Sequence, residues 1–177
     1  DLLITDVQSD PKNPAVGDSV TWTVFVKNNG ESVASDFALA IDIDDRPQES
    51  PIETIEIDSM YSKQSDTFTF TTEEVTEAVN YWFMVDPWST QQESDEVNNK
   101  FLKIFQLPDI EVVNAIPDSD VPKTGVDIEW TVTVKNIGAG SSPSFYMAFD
   151  NDENPNFLPI SSVEIPRLEP NKTAEAT

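Results

Sequence analysis

Two short acidic runs stand at matching places in this 177-residue chain: "IDIDDRPQ", with Asp42, Asp44 and Asp45, and "FDNDENPN", with Asp150, Asp152 and Glu153. Alternate carboxylates at the end of a strand point the same way, and the acidic residue after them falls in the turn. Hard oxygen donors in that pattern suit Ca2+, which takes six to eight of them at ~2.3–2.6 Å. The spacing is not that of an EF-hand loop, because "DNDENPN" lacks the central glycine and the glutamate at the twelfth position. A plain turn is the competing reading, since Asp, Asn and Pro favour turns for backbone reasons. A second acidic stretch, "DPWSTQQESDEVNN", gathers Asp86, Glu93, Asp95 and Glu96 around Trp88. An aromatic on a loop offers a contact for a sugar or a partner protein, or packs over the end of its own domain. Asn171-Lys172-Thr173 is a glycosylation sequon.

Much other chemistry is excluded by composition. The chain has no cysteine and no histidine, so disulfides, thiolate metal sites and the common nucleophile–base pairs cannot form. Five glycines, none clustered, leave no phosphate-cradling loop. Acidic residues outnumber basic ones 33 to 10, for a formal charge of −23. That sign argues against nucleic acid and anionic lipid as partners. No apolar run approaches the ~20 residues that span a bilayer, and Asp1 opens directly into a strand pattern, as in a mature form or an excised fragment.

The elements that carry these residues are repeated. Sliding the chain by 108 aligns residues 1–69 with 109–177 without a gap, and about 20 positions are identical. "VTWTVFVKNNG" at 20–30 is answered by "IEWTVTVKNIG" at 128–138. Val20, Trp22, Val24 and Val26 share one face, as do Ile128, Trp130, Val132 and Val134, which is the alternation of a half-buried antiparallel strand. This reading makes Trp22 and Trp130 core residues and has the Asn-x-Gly that follows end the strand by tolerating positive φ. Further strands are expected near 2–8, 36–43, 52–58, 65–72, 78–85 and 100–106, with room for a helical turn at Glu73–Ala78. Seven short strands in about 100 residues predict an all-β fold of tandem immunoglobulin or fibronectin-III-like β-sandwiches. The first unit is expected over 1–107 and the second over 108–177, joined rigidly at Leu107-Pro108 and lacking its last strands. An incomplete second sandwich would expose Trp130, Val132, Phe145 and Phe149 and would present open edges.

The opening "DLLITDV", the stretch "PKNPAVGDSVTWTVFVKNNG" and the closing "VDPWSTQQESDEVNN" together resemble the CARDB family, the cell-adhesion-related domain found in bacteria and archaea. The resemblance covers residues 1–107 and, through the repeat, part of 108–177. It implies a seven-stranded sandwich without catalytic activity, found in extracellular or cell-surface proteins as a spacer or adhesion unit. The partners expected are other modules of the same protein, neighbouring subunits and surface glycans. The alternatives are a filament subunit completed by a neighbour's strands, and a carbohydrate-binding appendage of a secreted hydrolase that uses Trp88.

Overall fold

The stretch that recurs in the sequence is a strand each time, and its alternation decides what must cover it. The computed structural model describes residues 1–75, 77–121, 123–150 and 159–177. Among these there is no helix, so the turn expected at Glu73–Ala78 is not helical where it is described. The described chain divides into two compact units, Asp1–Phe105 and Gln106–Thr177.

Unit 1 is a sandwich of seven strands. β1 (Leu2–Asp10), β2 (Val20–Asn28) and β5 (Ser65–Thr72) form one antiparallel sheet in the order β1-β2-β5. β3 (Ala34–Asp42), β4 (Glu53–Met60), β6 (Tyr81–Val85) and β7 (Lys100–Lys103) form the other, in the order β4-β3-β6-β7. The period-two face of β2 lies inside, with Val20, Trp22, Val24 and Val26 all buried. The Trp22 ring lies 4.7 Å from that of Tyr81 and 5.7 Å from that of Phe83, both on β6. Its indole donates to the Thr72 hydroxyl at 3.1 Å. Central strand β3 is buried on both faces, with Ala38 and Ala40 on one side and Phe37, Leu39 and Ile41 on the other. Burying side chains of this size stabilises the unit by about 1.5–3 kcal/mol each.

Unit 2 repeats five of these strands. β8 (Ile110–Pro117), β9 (Trp130–Asn136) and β12 (Thr173–Ala176) form a sheet in the order β12-β9-β8. β10 (Phe145–Phe149) pairs with β11 (Ser161–Ile165) in a sheet of two. The registers match those of unit 1 after the 108-residue shift: Leu2 faces Asn28, and Ile110 faces Asn136. Even the irregularity recurs, between Ile4 and Asp6 in β1 and between Val112 and Asn114 in β8. No counterpart of β6 and β7 is present among the described residues, so the core of unit 2 shrinks to Val134, Ile165, Leu168 and Ala176. Trp130 is therefore only half-buried, unlike Trp22, and rests against Phe149 with 6.1 Å between the rings. Among the described residues Trp130 is thus not enclosed as the core position expected of it would be.

The Asn-x-Gly after each inner strand also does something other than expected. Gly30 and Gly138 do not take positive φ; Gly17 and Gly125 do, at 97° and 81°. A Cβ on Gly30 would stand 2.8 Å from the Asp1 nitrogen, and one on Gly138 would stand 2.3 Å from that of Asp109. Glycine is required here by close approach of the chain, not by backbone twist. The asparagine before it is a buried tie. Asn28 Nδ2 donates to the carbonyls of Ser32 (2.8 Å) and Met60 (3.0 Å), while its Oδ1 accepts from Gly30 N at 2.9 Å. Asn136 repeats this with the carbonyls of Gly140 (2.7 Å) and Leu168 (2.9 Å) and the amides of Gly138 (3.0 Å) and Asp109 (3.1 Å). Met60 ends β4, and Leu168 follows β11, so each amide ties its two sheets together.

Two outcomes follow for solution measurements. Asn28→Asp keeps the acceptor but turns a carboxylate toward two carbonyls, and Asn28→Ala leaves those carbonyls unpaired. At ~1–3 kcal/mol per buried unpaired group, each variant lowers the denaturation free energy of unit 1 by at least about 2 kcal/mol in urea titrations. Burial raises the Tyr81 phenol above its ordinary value, partly offset by its hydrogen bond with Thr72. A raised folded value favours the native state in full below the unfolded pKa of ~10 and loses that contribution as pH rises beyond it. Melting temperature therefore falls above about pH 10, and Tyr81→Phe shows a shallower fall.

Candidate functional site

The acidic residues most suited to chemistry sit in turns at the ends of strands, and their oxygens are largely engaged by the chain itself. Asp42 closes β3 with its carboxylate buried, and Oδ1 accepts from Ile43 N at 2.7 Å. Asp44 Oδ1 accepts from Arg46 N at 2.8 Å. Asp45 is exposed, with Oδ1 3.9 Å from the Arg46 guanidinium, while its backbone carbonyl accepts from Lys100 Nζ. Arg46 also pairs with Glu49 at 2.9 Å. Among the described residues, no three His, Cys, Asp or Glu side chains are placed to hold a metal ion. Asp42 and Asp44 thus cap their own turn, while Asp45 lies exposed beside Arg46. In the second copy, Asp150 follows β10, while Asp152 and Glu153 lie outside the described residues.

The loop after β6 is built around Asp86. It is fully buried and adopts positive φ, 47°, a conformation that aspartate tolerates better than most residues. Its Oδ1 accepts from Thr90 N (2.9 Å) and Thr90 Oγ1 (2.7 Å), and its Oδ2 accepts from Gln91 N (2.8 Å). Its own amide donates to the Ala38 carbonyl at 2.8 Å, which fastens the loop to β3. Glu93 has a side chain only 1% exposed. Its carboxylate accepts from Leu2 N at the start of β1 and from Asn99 Nδ2 at 3.1 Å. Asn99 Nδ2 also reaches Glu96 Oε2 at 3.3 Å, and Asp95 Oδ1 accepts from Val97 N at 2.9 Å. The carboxylates of "DPWSTQQESDEVNN" therefore fold the loop and attach it to β1, while the Asp86 backbone amide attaches it to β3. Asn98 Oδ1 and Asn99 Oδ1 are buried without a hydrogen-bond partner.

Trp88 lies on this loop, 49% exposed, with its indole donating to the Gln48 carbonyl at 3.1 Å. That bond fixes the ring over the β3–β4 turn and leaves part of it to solvent. Asn171 is exposed at positive φ, 63°, with its amide on the Asn136 carbonyl at 2.8 Å. Asn28 and Asn136 were legible only as turn residues, although the recurrence of Lys-Asn-x-Gly at both copies marked them. The structural role of Asp86 has a direct check. Asp86→Asn turns an amide donor toward backbone N–H groups and removes charge-assisted bonds, so stability falls by about 2 kcal/mol or more. The loss is the same with calcium or with chelator, because these bonds end on the chain's own amides.

Comparison with known proteins places these features in a family. No curated protein matches the chain. Among solved structures, the CARDB domain of a Pyrococcus furiosus protein, crystallised in complex with di-metal ions, is similar at 20% identity and a TM-score of 0.48, covering 58% of this chain and 88% of that one. A chaperone–tip adhesin complex of CFA/I fimbriae is similar at 12% identity and a TM-score of 0.29, covering 98% of this chain and 87% of that one. The class 5 fimbriae chaperone CfaA is similar at 13% identity and a TM-score of 0.30, covering 98% and 84%. The CARDB family pattern matches residues 1–103 and again residues 107–177. With two copies of that pattern over nearly its whole length, the chain belongs to the CARDB family of cell-adhesion-related domains.

Proposed function

We propose that the chain is a non-catalytic structural and adhesion module of a secreted or surface protein, acting as a rigid spacer and protein-interaction unit outside the cell. The observation that carries this reading is the use made of the polar residues. Asp42, Asp44, Asp86, Glu93 and Asp95 all accept hydrogen bonds from backbone amides of their own turns or of β1. The nucleophile–base pairs that use Cys or His cannot form in this chain. The charge of −23 favours solubility and disfavours nucleic acid as a partner. Among the described residues, no helix is long and apolar enough to cross a membrane. Membership of a non-catalytic adhesion-related family supports the same reading. In this reading Trp88 makes a glycan or protein contact, which its half-exposed ring and anchored indole support.

Stiffness is the property that separates a spacer from two beads on a string. The chain is free of cysteine, so single cysteines placed at exposed Tyr61 and Tyr146, one in each unit, take spin labels cleanly. A spacer gives one narrow distance distribution by pulsed electron–electron resonance. A broad distribution spanning tens of ångströms sinks the rigid-spacer reading.

A further inference from the structure

The two units close the same turn in different ways, and the difference leaves one asparagine free. In unit 1 the chain turns between β4 and β5 at Tyr61–Gln64, with Gln64 N donating to the Tyr61 carbonyl at 3.0 Å and Lys63 at φ 63°. In unit 2 it turns between β11 and β12 at Glu169–Lys172, with Lys172 N donating to the Glu169 carbonyl at 3.1 Å and Asn171 at φ 63°. The inner strand holds both turns alike. Asn28 N donates to the Gln64 carbonyl at 2.9 Å, and Asn136 N donates to the Lys172 carbonyl at 3.0 Å. Pro170 at the second position and positive φ at the third are the marks of a type II turn.

Side chains tie this turn down in unit 1. Lys63 Nζ donates to the Asn29 carbonyl at 2.7 Å and pairs with Glu31 at 2.6 Å. Ser62 Oγ donates to the Gly30 carbonyl at 2.8 Å, and Gln64 Oε1 accepts from Tyr61 N at 2.7 Å. The 108-residue shift puts Ala139, Pro170, Asn171 and Lys172 in place of Glu31, Ser62, Lys63 and Gln64. The backbone of the turn is kept and those four ties are gone. Asn171, Lys172 and Thr173 are exposed. Among the described residues, none bonds to the side chain of Asn171 or of Thr173. Left-handed backbone does not account for the asparagine either, since Lys63 takes the same φ.

We propose that Asn171 is the acceptor of an N-linked glycan. It opens the one Asn-x-Ser/Thr triplet of the chain, Asn171-Lys172-Thr173, and a bulky hydrophilic group of this kind needs a surface turn. An oligosaccharyltransferase joins Asn171 Nδ2 to the anomeric carbon of an oligosaccharide carried on a polyprenyl diphosphate. The new C–N bond forms as the C–O bond to the diphosphate breaks. The lipid diphosphate leaves with the electron pair, and an amide proton passes to a base of the transferase. The enzyme has to hold the asparagine amide and the threonine hydroxyl together, and both are free here. Lys172 lies within the triplet and Lys135 stands opposite Thr173 on β9, so the phosphate-bearing donor meets positive charge on a chain whose total is −23. The inference rests on the reading of the protein as exported, because such transfer is made to exported chains.

The folded 177-residue protein is incubated with a solubilised oligosaccharyltransferase and a polyprenyl-diphosphate oligosaccharide, and the products are weighed by intact mass spectrometry. The expected result is a gain of one oligosaccharide per chain, located on Asn171 by tandem spectra. Asn171→Gln and Thr173→Ala each abolish the gain, and Thr173→Ser keeps it. A peptide of residues 167–177 serves as the control for the triplet itself. Modification of the peptide with none of the folded protein overturns the proposal, because the turn then withholds the asparagine. The protein isolated from the cells that make it is expected to carry an oligosaccharide on Asn171, and an unmodified Asn171 there overturns the proposal as well. Protease added to those intact cells separates the two readings. Digestion of the unmodified protein leaves the exported module standing without its glycan, and protection sinks both.

Discussion

A single buried amide at the end of the inner strand holds each unit together. A sandwich of two sheets has an apolar interior that is indifferent to sliding, because burial is proportional to area and carries no direction. Asn28 and Asn136 remove that freedom. Each donates to a carbonyl of the opposite sheet's chain and accepts from the glycine two residues on, so one side chain sets both the spacing of the sheets and the path of the strand leaving them. The neighbouring glycine is the second half of the device, since its missing Cβ is what lets the start of the unit's first strand lie against it. The burial of Val26, Ile57 and Met60, and of their copies in unit 2, is arranged around this tie.

How far the sequence disclosed this differs from residue to residue. The alternation of Val20, Trp22, Val24 and Val26 gave the inner strand because period two has few competing explanations in a run rich in β-branched residues. Residues 65–72 were bounded correctly for the same reason, whereas β6 and β7 are shorter than the stretches expected at 78–85 and 100–106. Their flanking apolar residues lie in connections, where burial without pairing looks identical to a strand in one dimension. The asparagine tie could not be read as such, since an Asn before a Gly is the ordinary sign of a turn. Only the opposing carbonyls, 32 residues away in each unit, distinguish a tie from a turn.

The carboxylates show the same difficulty in another form. Acidic residues crowded at strand ends read equally as cation ligands or as turn caps, because both uses need oxygens on short side chains near free N–H groups. Asp86 is put to the second use, since its oxygens accept three bonds from Thr90 and Gln91. Glu93 does the same over a span of 91 residues, joining the loop to the first strand. The large negative charge is thus partly spent in holding loops, and the rest lies on the surface.

The irregularity shared by β1 and β8 has a consequence for how these sheets meet their surroundings. Each is an edge strand, and each slips register once, between Ile4 and Asp6 or between Val112 and Asn114. An inserted residue twists the strand and interrupts its row of N–H and C=O groups, which makes a poor template for another chain. β10 pairs with β11 through five consecutive residues without such a slip. The domain is therefore polarised in its stickiness: one border is blunted by a kink inherited with the repeat, and the other is left straight.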